Sequence, residues 1–512
     1  MSHFARSSII IAIFFGIDKI LAFGRQLIVN NLFGLSYQLD VFNAANNVPD
    51  LLSALISGGA LGVALIPVLS EYLEKRGRPE AWLLFTRILN LAFIITGAIA
   101  ILIAIFATPI INNIIAPGFP AEQRALAAEL MRIDLIAILI FSISGLAMAG
   151  LQANQHFILP ALAPALYNIG QIFGALILAP ETPFSIGHIT FPAFGLGVHG
   201  LVYGVVLGSL LHLAIQLPGL RHYGWRWQAT LGLATPGVRK VLRLLGPRVA
   251  TMLFIHFYFL ARDNLGSFLG EGSVTAINLG WFIMQVPETL LGTAVAIAIL
   301  PSIAEIFSLG DLAKFRDTVN GTLRAILAFT IPSAVILAVG LRPLVAAGFS
   351  AFTPEQVDLV VTVTRLYLLG LTGHALLEIA VRSFYAQQNA ITPLFAAALN
   401  AAGFFVFAKL LSASMGAAGI ALAATISFSL EALLLLWLLG RNYKGLLALR
   451  PTLIRVLFVS IAAGLAVLAV LRYAPIPPVF ASLSGMLLAL FAVIPFILPE
   501  LRTFARLGAQ SE

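Results

Sequence analysis

The chain of 512 residues contains no cysteine, which removes disulfides, thiolate metal sites and cysteine nucleophiles and leaves the redox compartment open. Charge is scarce as well: Asp, Glu, Lys and Arg make up 10% of the residues, against about 25% in an ordinary soluble domain. The sequence holds no GxxxxGK[ST] phosphate loop, no HExxH, no GxSxG elbow and no cluster among its eight histidines. ATPase and hydrolase chemistry is therefore not expected, nor is a cofactor or a bound metal. Any uphill work has to be driven by an ion gradient, the membrane potential or a downstream sink.

Apolar residues are what the chain has in excess, at 60% of the sequence and a mean hydropathy of +0.99. Because a membrane span needs about 20 apolar residues, the composition predicts an all-α polytopic membrane protein with little left for a soluble domain. A net charge of +8 would suggest nucleic acid in a soluble chain. Here the basic residues are tested first against the positive-inside pattern, and nucleic acid is set aside.

Apolar runs bounded by charge, Pro or Asn predict fourteen helices near residues 5–30, 38–70, 82–108, 123–151, 157–180, 193–218, 237–268, 274–306, 318–345, 356–387, 391–412, 415–440, 451–472 and 479–499. The first is read as a retained helix, since Asp18 and Lys19 follow its apolar run where a cleavage site would need small residues. Loops on the N-terminal side carry Lys75, Arg76 and Arg78, then Arg221, Arg226, Arg239, Lys240 and Arg243, then Lys314 and Arg316, then Arg441, Lys444 and Arg450, and finally Arg502 and Arg506. Loops on the opposite side carry little beyond Arg124 and Arg472, with Arg132 and Arg342 just inside neighbouring spans. Both termini are therefore expected in the cytoplasm. The segment 221–236 reads as a cytoplasmic linker at the headgroup layer, with Trp225 and Trp227 as interfacial anchors.

The chain also repeats itself. Val48-Pro-Asp-Leu51 and Ile66-Pro-Val-Leu-Ser-Glu71 return as Val286-Pro-Glu-Thr289 and Leu300-Pro-Ser-Ile-Ala-Glu305, so that Pro49 and Pro287 stand 238 positions apart and Pro67 and Pro301 stand 234 apart. Arg25 and Arg262 are 237 apart, and Gln152-Ala-Asn-Gln155 with Pro160 meets Gln387-Gln-Asn389 with Pro393. Six helices separate matching points, so the halves are expected to be parallel. Spans one to six (1–220) and seven to twelve (237–440) then form two lobes around a central cavity, with two extra helices (451–499) and a tail (500–512). Pro49 and Pro287, recurring before Asp50 and Glu288, are expected hinges.

Charges inside spans normally face a cavity or a partner. Span one holds Asp18, Lys19 and Arg25, span seven holds Arg262 and Asp263, and span ten holds Glu378 and Arg382 at helical i, i+4 spacing. Two readings are open. The residues close on one another as Arg25 with Asp18, Arg262 with Asp263 and Arg382 with Glu378, or they line a cationic, watered cleft whose arginines suit a phosphate or diphosphate headgroup. Convergence of all three on one lobe interface favours the second.

The stretch Asp18 to Arg25, with Leu32-Phe-Gly34, Asp40-Val-Phe42, Val48-Pro-Asp-Leu-Leu52, Gly59-Ala60 and Ile66-Pro-Val-Leu-Ser-Glu-Tyr72, resembles the opening of the MurJ (MviN) family of lipid II flippases. Gly272-Ser-Val274, Val286-Pro287, Leu300-Pro-Ser302, Phe384-Tyr385 and Thr392-Pro393 are similar to that family's second lobe. The resemblance spans nearly the whole chain and implies membership of the multidrug/oligosaccharidyl-lipid/polysaccharide exporter superfamily. It also implies alternating access that carries undecaprenyl-diphosphate-linked precursor (lipid II) to the outer leaflet of the bacterial inner membrane, with the last two helices forming a lipid-tail groove.

In that picture Arg25 falls on the family's functional first-helix arginine, and Lys19 stands where an arginine is usual. Gln26, Ser53, Gly58 and Phe282 occupy places where the family often has a charge. A sodium site of some members would need an acid near Asn400, where the sequence places none. Two further readings are a small-molecule exporter of the same fold, whose site should be rich in acids and aromatics, and a non-transporting paralogue.

Overall fold

The computed structural model describes residues 3–56, 60–186, 189–443 and 445–509. Packing divides the chain into two compact units, Met1–Gly272 and Ser273–Glu512. The first holds α1 (His3–Phe33), α2 (Tyr37–Ala45), α3 (Asn47–Ile56), α4 (Ala60–Lys75), α5 (Arg78–Ile105), the single turn α6 (Ala107–Ile110), α7 (Ala121–Ala153), α8 (Ile158–Phe173), α9 (Val198–Ala214), α10 (Leu217–His222) and α11 (Pro236–Gly266). The second holds α12 (Ser273–Glu288), α13 (Ala294–Ser308), α14 (Leu312–Gly348), α15 (Pro354–Leu369), α16 (Leu371–Ala386), α17 (Ile391–Met415), α18 (Ala417–Asn442), α19 (Arg450–Tyr473) and α20 (Pro478–Ala509). Ten helical stretches among the described residues are long and apolar enough to cross a bilayer. Among the described residues, helix covers most of each stretch expected to be a span, and 193–197, expected at the start of the sixth, precedes α9 without helical structure.

Among the described residues the departure from an all-α chain is a hairpin between α8 and α9, β1 (Phe184–Ile186) paired antiparallel with β2 (Ile189–Phe191). The expected second span is broken rather than continuous. Ser36 caps α2, α2 ends at Asn46, and Pro49 lies in the first turn of α3, where a missing amide proton leaves no intrahelical bond unmade. In the second unit Pro287 sits at the end of α12 and a π-helical turn, Thr289–Thr293, follows it. Gly58 and Gly59 of the family-like opening lie outside the described residues, as do the side chains of Arg502 and Arg506.

The repeat is visible in backbone geometry. Gln155 and Gln388 are the described non-glycine residues with positive φ, at 59° and 58°. They stand 233 positions apart, as Pro160 and Pro393 do. Each is followed by an amide that reaches back five residues, His156 to the Leu151 carbonyl (2.9 Å) and Asn389 to the Phe384 carbonyl (3.0 Å). Within the first unit α8 packs on α9, α7 on α9 and α4 on α7; within the second, α17 packs on α18, α16 on α18 and α13 on α16. The units and the sequence repeat divide the chain at different points, because α11 packs on α3, α4 and α5 inside the first unit.

The segment after α10 is tied along α5. Trp225 donates to Thr86 (3.0 Å), Trp227 to Asn90 (2.9 Å), and Asn90 donates to the Gln228 and Thr230 carbonyls. Trp225 also meets Phe85 edge-on at 5.7 Å, in the core that joins α4, α5 and α7. It is thus a packing residue, whereas Trp227 keeps an exposed face.

In lipid, close helix association rests on contact rather than hydrophobic transfer, and small residues permit it. Gly200, Gly204 and Gly208 repeat every four residues along one face of α9 and meet Gly170 of α8 and the Gly174–Leu178 turn that continues it. A methyl group on Gly204 would lie 2.8 Å from the Gly174 Cα, and one on Gly170 would lie 2.3 Å from the Gly208 Cα. Gly204→Leu should therefore separate α8 from α9 and destabilise by more than the roughly 1–3 kcal/mol of ordinary overpacking. A clear fall in the melting temperature of the purified protein is expected, with a smaller fall for Gly204→Ala.

Candidate functional site

The first unit encloses a cavity of about 320 Å³. Its polar wall is built from α1 (Arg25, Gln26), the α2 end (Asn43, Asn46), α3 (Asp50, Ser53), α7 (Asp134) and α8 (Tyr167, Gln171), and Leu39, Phe42, Phe141 and Leu201 are among its apolar members. Asn46, at the end of α2, and Asp50, in the first turn of α3, stand at i, i+4 spacing and face this hollow together, with the Asp50 amide donating to the Asn46 carbonyl at 2.8 Å. Arg25 donates from Nη1 to the Gln171 carbonyl oxygen at 2.9 Å. Three buried polar atoms on the lining residues, Asn46 Oδ1, Asp134 Oδ1 and Gln171 Nε2, meet no partner among the described residues. Buried polar groups are normally satisfied, so this wall has hydrogen-bonding capacity left for water or for a polar guest.

The residues expected from sequence distribute unevenly. Arg25 lines the cavity. Asp18 is buried behind it and accepts from Asn168 of α8 (2.8 Å) rather than from Arg25, so the anticipated Arg25 to Asp18 pair is not formed. Lys19 is exposed on α1 and outside the cavity lining. Arg262 and Asp263 are 3% and 2% exposed and paired at 2.9 Å, with the Arg262 guanidinium 5.0 Å from the Phe259 ring.

Asp263 also accepts from Asn47 (2.5 Å), and the Gly272 amide donates to Asp40 (2.7 Å). These contacts pin α2 and α3 to the far end of α11. In the second unit Glu378 and Arg382 close on each other along α16. Two of the three expected pairs therefore form, and the cationic group left on a cavity wall is Arg25.

Two further corrections concern acids. Sequence reasoning gave the site at least as many bases as acids, yet Arg25 faces Asp50 and Asp134. Asp134 was missed although it is an acid in mid-span, which alone marks a residue for inspection. Near Asn400 there is an acid after all: Glu431, one helix further on in α18, accepts from the Asn400 amide. No group of three or more His, Asp or Glu that could hold a metal occurs among the described residues.

The family model described as "Lipid II flippase MurJ" matches residues 29–487. The chain belongs to the lipid II flippase MurJ family. A relative named lipid II flippase MurJ from Burkholderia cenocepacia is 28% identical over 471 residues, covering 89% of this chain and 87% of its own length. Among solved structures, the chain is similar to one titled "Lipid II flippase MurJ, inward closed conformation", with a TM-score of 0.80 and 23% identity over 95% of this chain and 98% of that one. It is also similar to an inward-facing multidrug resistance MATE family transporter of the MOP superfamily, with a TM-score of 0.70 and 14% identity over 84% and 95% of the two chains. At these identities the structural matches speak for the fold. The chain is thus a multi-pass membrane protein of a transporter family, and Ser53 is on the cavity wall.

Removing one member of a buried ion pair strands the other and costs about 3–5 kcal/mol. Asp263→Ala should therefore lower the melting temperature far more than Lys19→Ala, and Asp263→Asn should recover part of the loss through its bond to Asn47.

Proposed function

We propose that this chain flips an undecaprenyl-diphosphate-linked peptidoglycan precursor, lipid II, from the cytoplasmic to the outer leaflet by alternating access. The observation that carries the reading is Arg25, a guanidinium on the wall of a polar hollow inside a membrane unit, with Gln171 beside it as an amide partner. Guanidinium donors match phosphate oxygens in geometry and charge. Family membership names the lipid class, and a diphosphate seated on Arg25 leaves the glycan and peptide hydrated.

In this reading the sequence lobes 1–220 and 237–440 rock about Pro49 and Pro287, and 451–499 guides the lipid tail. Both termini are cytoplasmic, in the bacterial inner membrane, on the strength of the basic loops. Energy comes from the membrane potential or an ion gradient. Arg262 and Arg382, being paired with Asp263 and Glu378, hold the units in shape rather than bind the headgroup.

A second reading, a small-molecule cation exporter, draws on Asp50, Asp134 and the rings of Tyr167 and Phe141 in the same cavity. Gene replacement in a strain depleted of its own flippase separates the two. The unaltered chain should restore growth and prevent accumulation of the lipid-linked precursor. Arg25→Ala should lose about 1.5–3 kcal/mol of headgroup binding, roughly a 10- to 150-fold loss in affinity, and fail to rescue, while Arg25→Lys rescues in part and Lys19→Ala largely. Dye export without any effect on the precursor, or full rescue by Arg25→Ala, would transfer the assignment to the exporter.

A further inference from the structure

Asp134 has no part in the headgroup reading, yet it is the most confined charge-bearing group on the cavity wall. It lies in the middle of α7, is 3% exposed, and its Oδ1 meets no donor among the described residues. Asp50, by contrast, is open to the hollow. Two carboxyl groups on one wall, one dry and one wet, are an arrangement that separates a proton-holding acid from an ionised one.

Every element packed against α7 leaves Asp134 without a compensating cation. From α3 it faces Asp50 and from α8 Tyr167, while Arg25 of α1 donates to the neutral Gln171 amide instead. The acid of α2, Asp40, is engaged by the Gly272 amide. On α9 the cavity-lining residues are Leu201 and Val205, with His199 set against Glu129 and His212 against Ser144. Of the charged groups on α4, α5 and α10, Glu71 pairs with Lys75 and Lys240, Glu80 with Arg76, Arg78 lies over the Tyr223 ring, Arg87 donates to Thr235, and Glu74, Arg221 and His222 are exposed.

We propose that Asp134 is a proton-binding site inside the cavity, and that it takes up a proton as an anionic headgroup engages Arg25. The step is a plain protonation, carboxylate plus proton giving carboxyl, with no bond made or broken in the transported lipid. An ionised Asp134 would add a second carboxylate to a wall that already holds Asp50 and offers one guanidinium, Arg25. An uncompensated ion in a dry wall is disfavoured.

A diphosphate on Arg25 cancels the one positive neighbour and adds negative charge, and both effects favour the protonated acid. Linkage makes the relation reciprocal: the bound proton strengthens headgroup binding, and release of the headgroup releases the proton. A metal cation is a poorer occupant, since it needs several oxygen ligands and would share the hollow with a guanidinium. The coupling, though not the proton site itself, rests on the headgroup reading.

The test follows the carbonyl stretch of a protonated carboxyl by infrared difference spectroscopy across pH, on the full-length protein in lipid bilayers, with and without undecaprenyl diphosphate. Calorimetry reports binding of the same probe. A band that titrates in the unaltered protein, vanishes in Asp134→Asn, persists in Asp50→Asn and returns at a changed frequency in Asp134→Glu is expected. Its midpoint should move to higher pH by about one unit when the diphosphate binds, a tenfold gain in proton affinity. Absence of the band, its survival in Asp134→Asn, or its loss when sodium replaces potassium would overturn the site. Binding with a fixed midpoint would overturn the coupling and leave the headgroup reading standing, whereas a titrating band with no binding of the diphosphate would overturn the headgroup reading and the coupling with it.

Discussion

A guanidinium within a membrane helix has to be watered or matched, and the first unit is arranged around that requirement at Arg25. The amide that meets it, Gln171, is carried by α8, whose position is set by the close glycine contacts with α9. The opposite wall depends on the break at Asn46, which is fixed by Asn47 on Asp263 and by Asp40 on the Gly272 amide. If α8 moved off α9, the hollow would lose the Gln171 amide. Tight backbone packing and a polar interior are therefore two sides of one design.

The three span arginines singled out in the sequence fall into two kinds. Arg262 and Arg382 are closed by a carboxylate on their own helix, and such pairs resist separation without offering charge to a guest. Arg25 is held by a neutral amide and keeps its charge for whatever enters. A further closed set joins α19 and α20 to α14 within the second unit, where Glu500 of α20 meets Arg455 and Thr452 of α19 and Arg324 of α14. These paired charges act as mortar along and between helices.

Much of this was legible in the sequence, because the bilayer imposes long apolar runs and because the duplication leaves matching landmarks. Gln155 and Gln388 share a rare backbone conformation at the spacing read from Pro160 and Pro393. Arg25 stood out as a charge in the first span, and Glu378 with Arg382 as an i, i+4 pair. What escaped depends on contacts between helices. Spacing put Asp18 and Arg25 on one face, but Asn168 and Gln171, near 150 positions away, claimed them separately. Glu431 reaches Asn400 from the next helix, and Asp134 becomes informative only once its surroundings are known to lack a donor. The break at Asn46 precedes Pro49 by three residues, since proline is at ease in the first turn of a helix and does not itself have to mark the bend.

The central claim, that an anionic lipid head seats against Arg25 within the first unit, is tested most directly by a structure of the protein solved with undecaprenyl diphosphate bound. Diphosphate density within hydrogen-bonding distance of the Arg25 guanidinium, next to Gln171, is the expected result. Diphosphate held elsewhere, against Arg382 of the second unit for instance, with the Arg25 hollow holding only water, would contradict it.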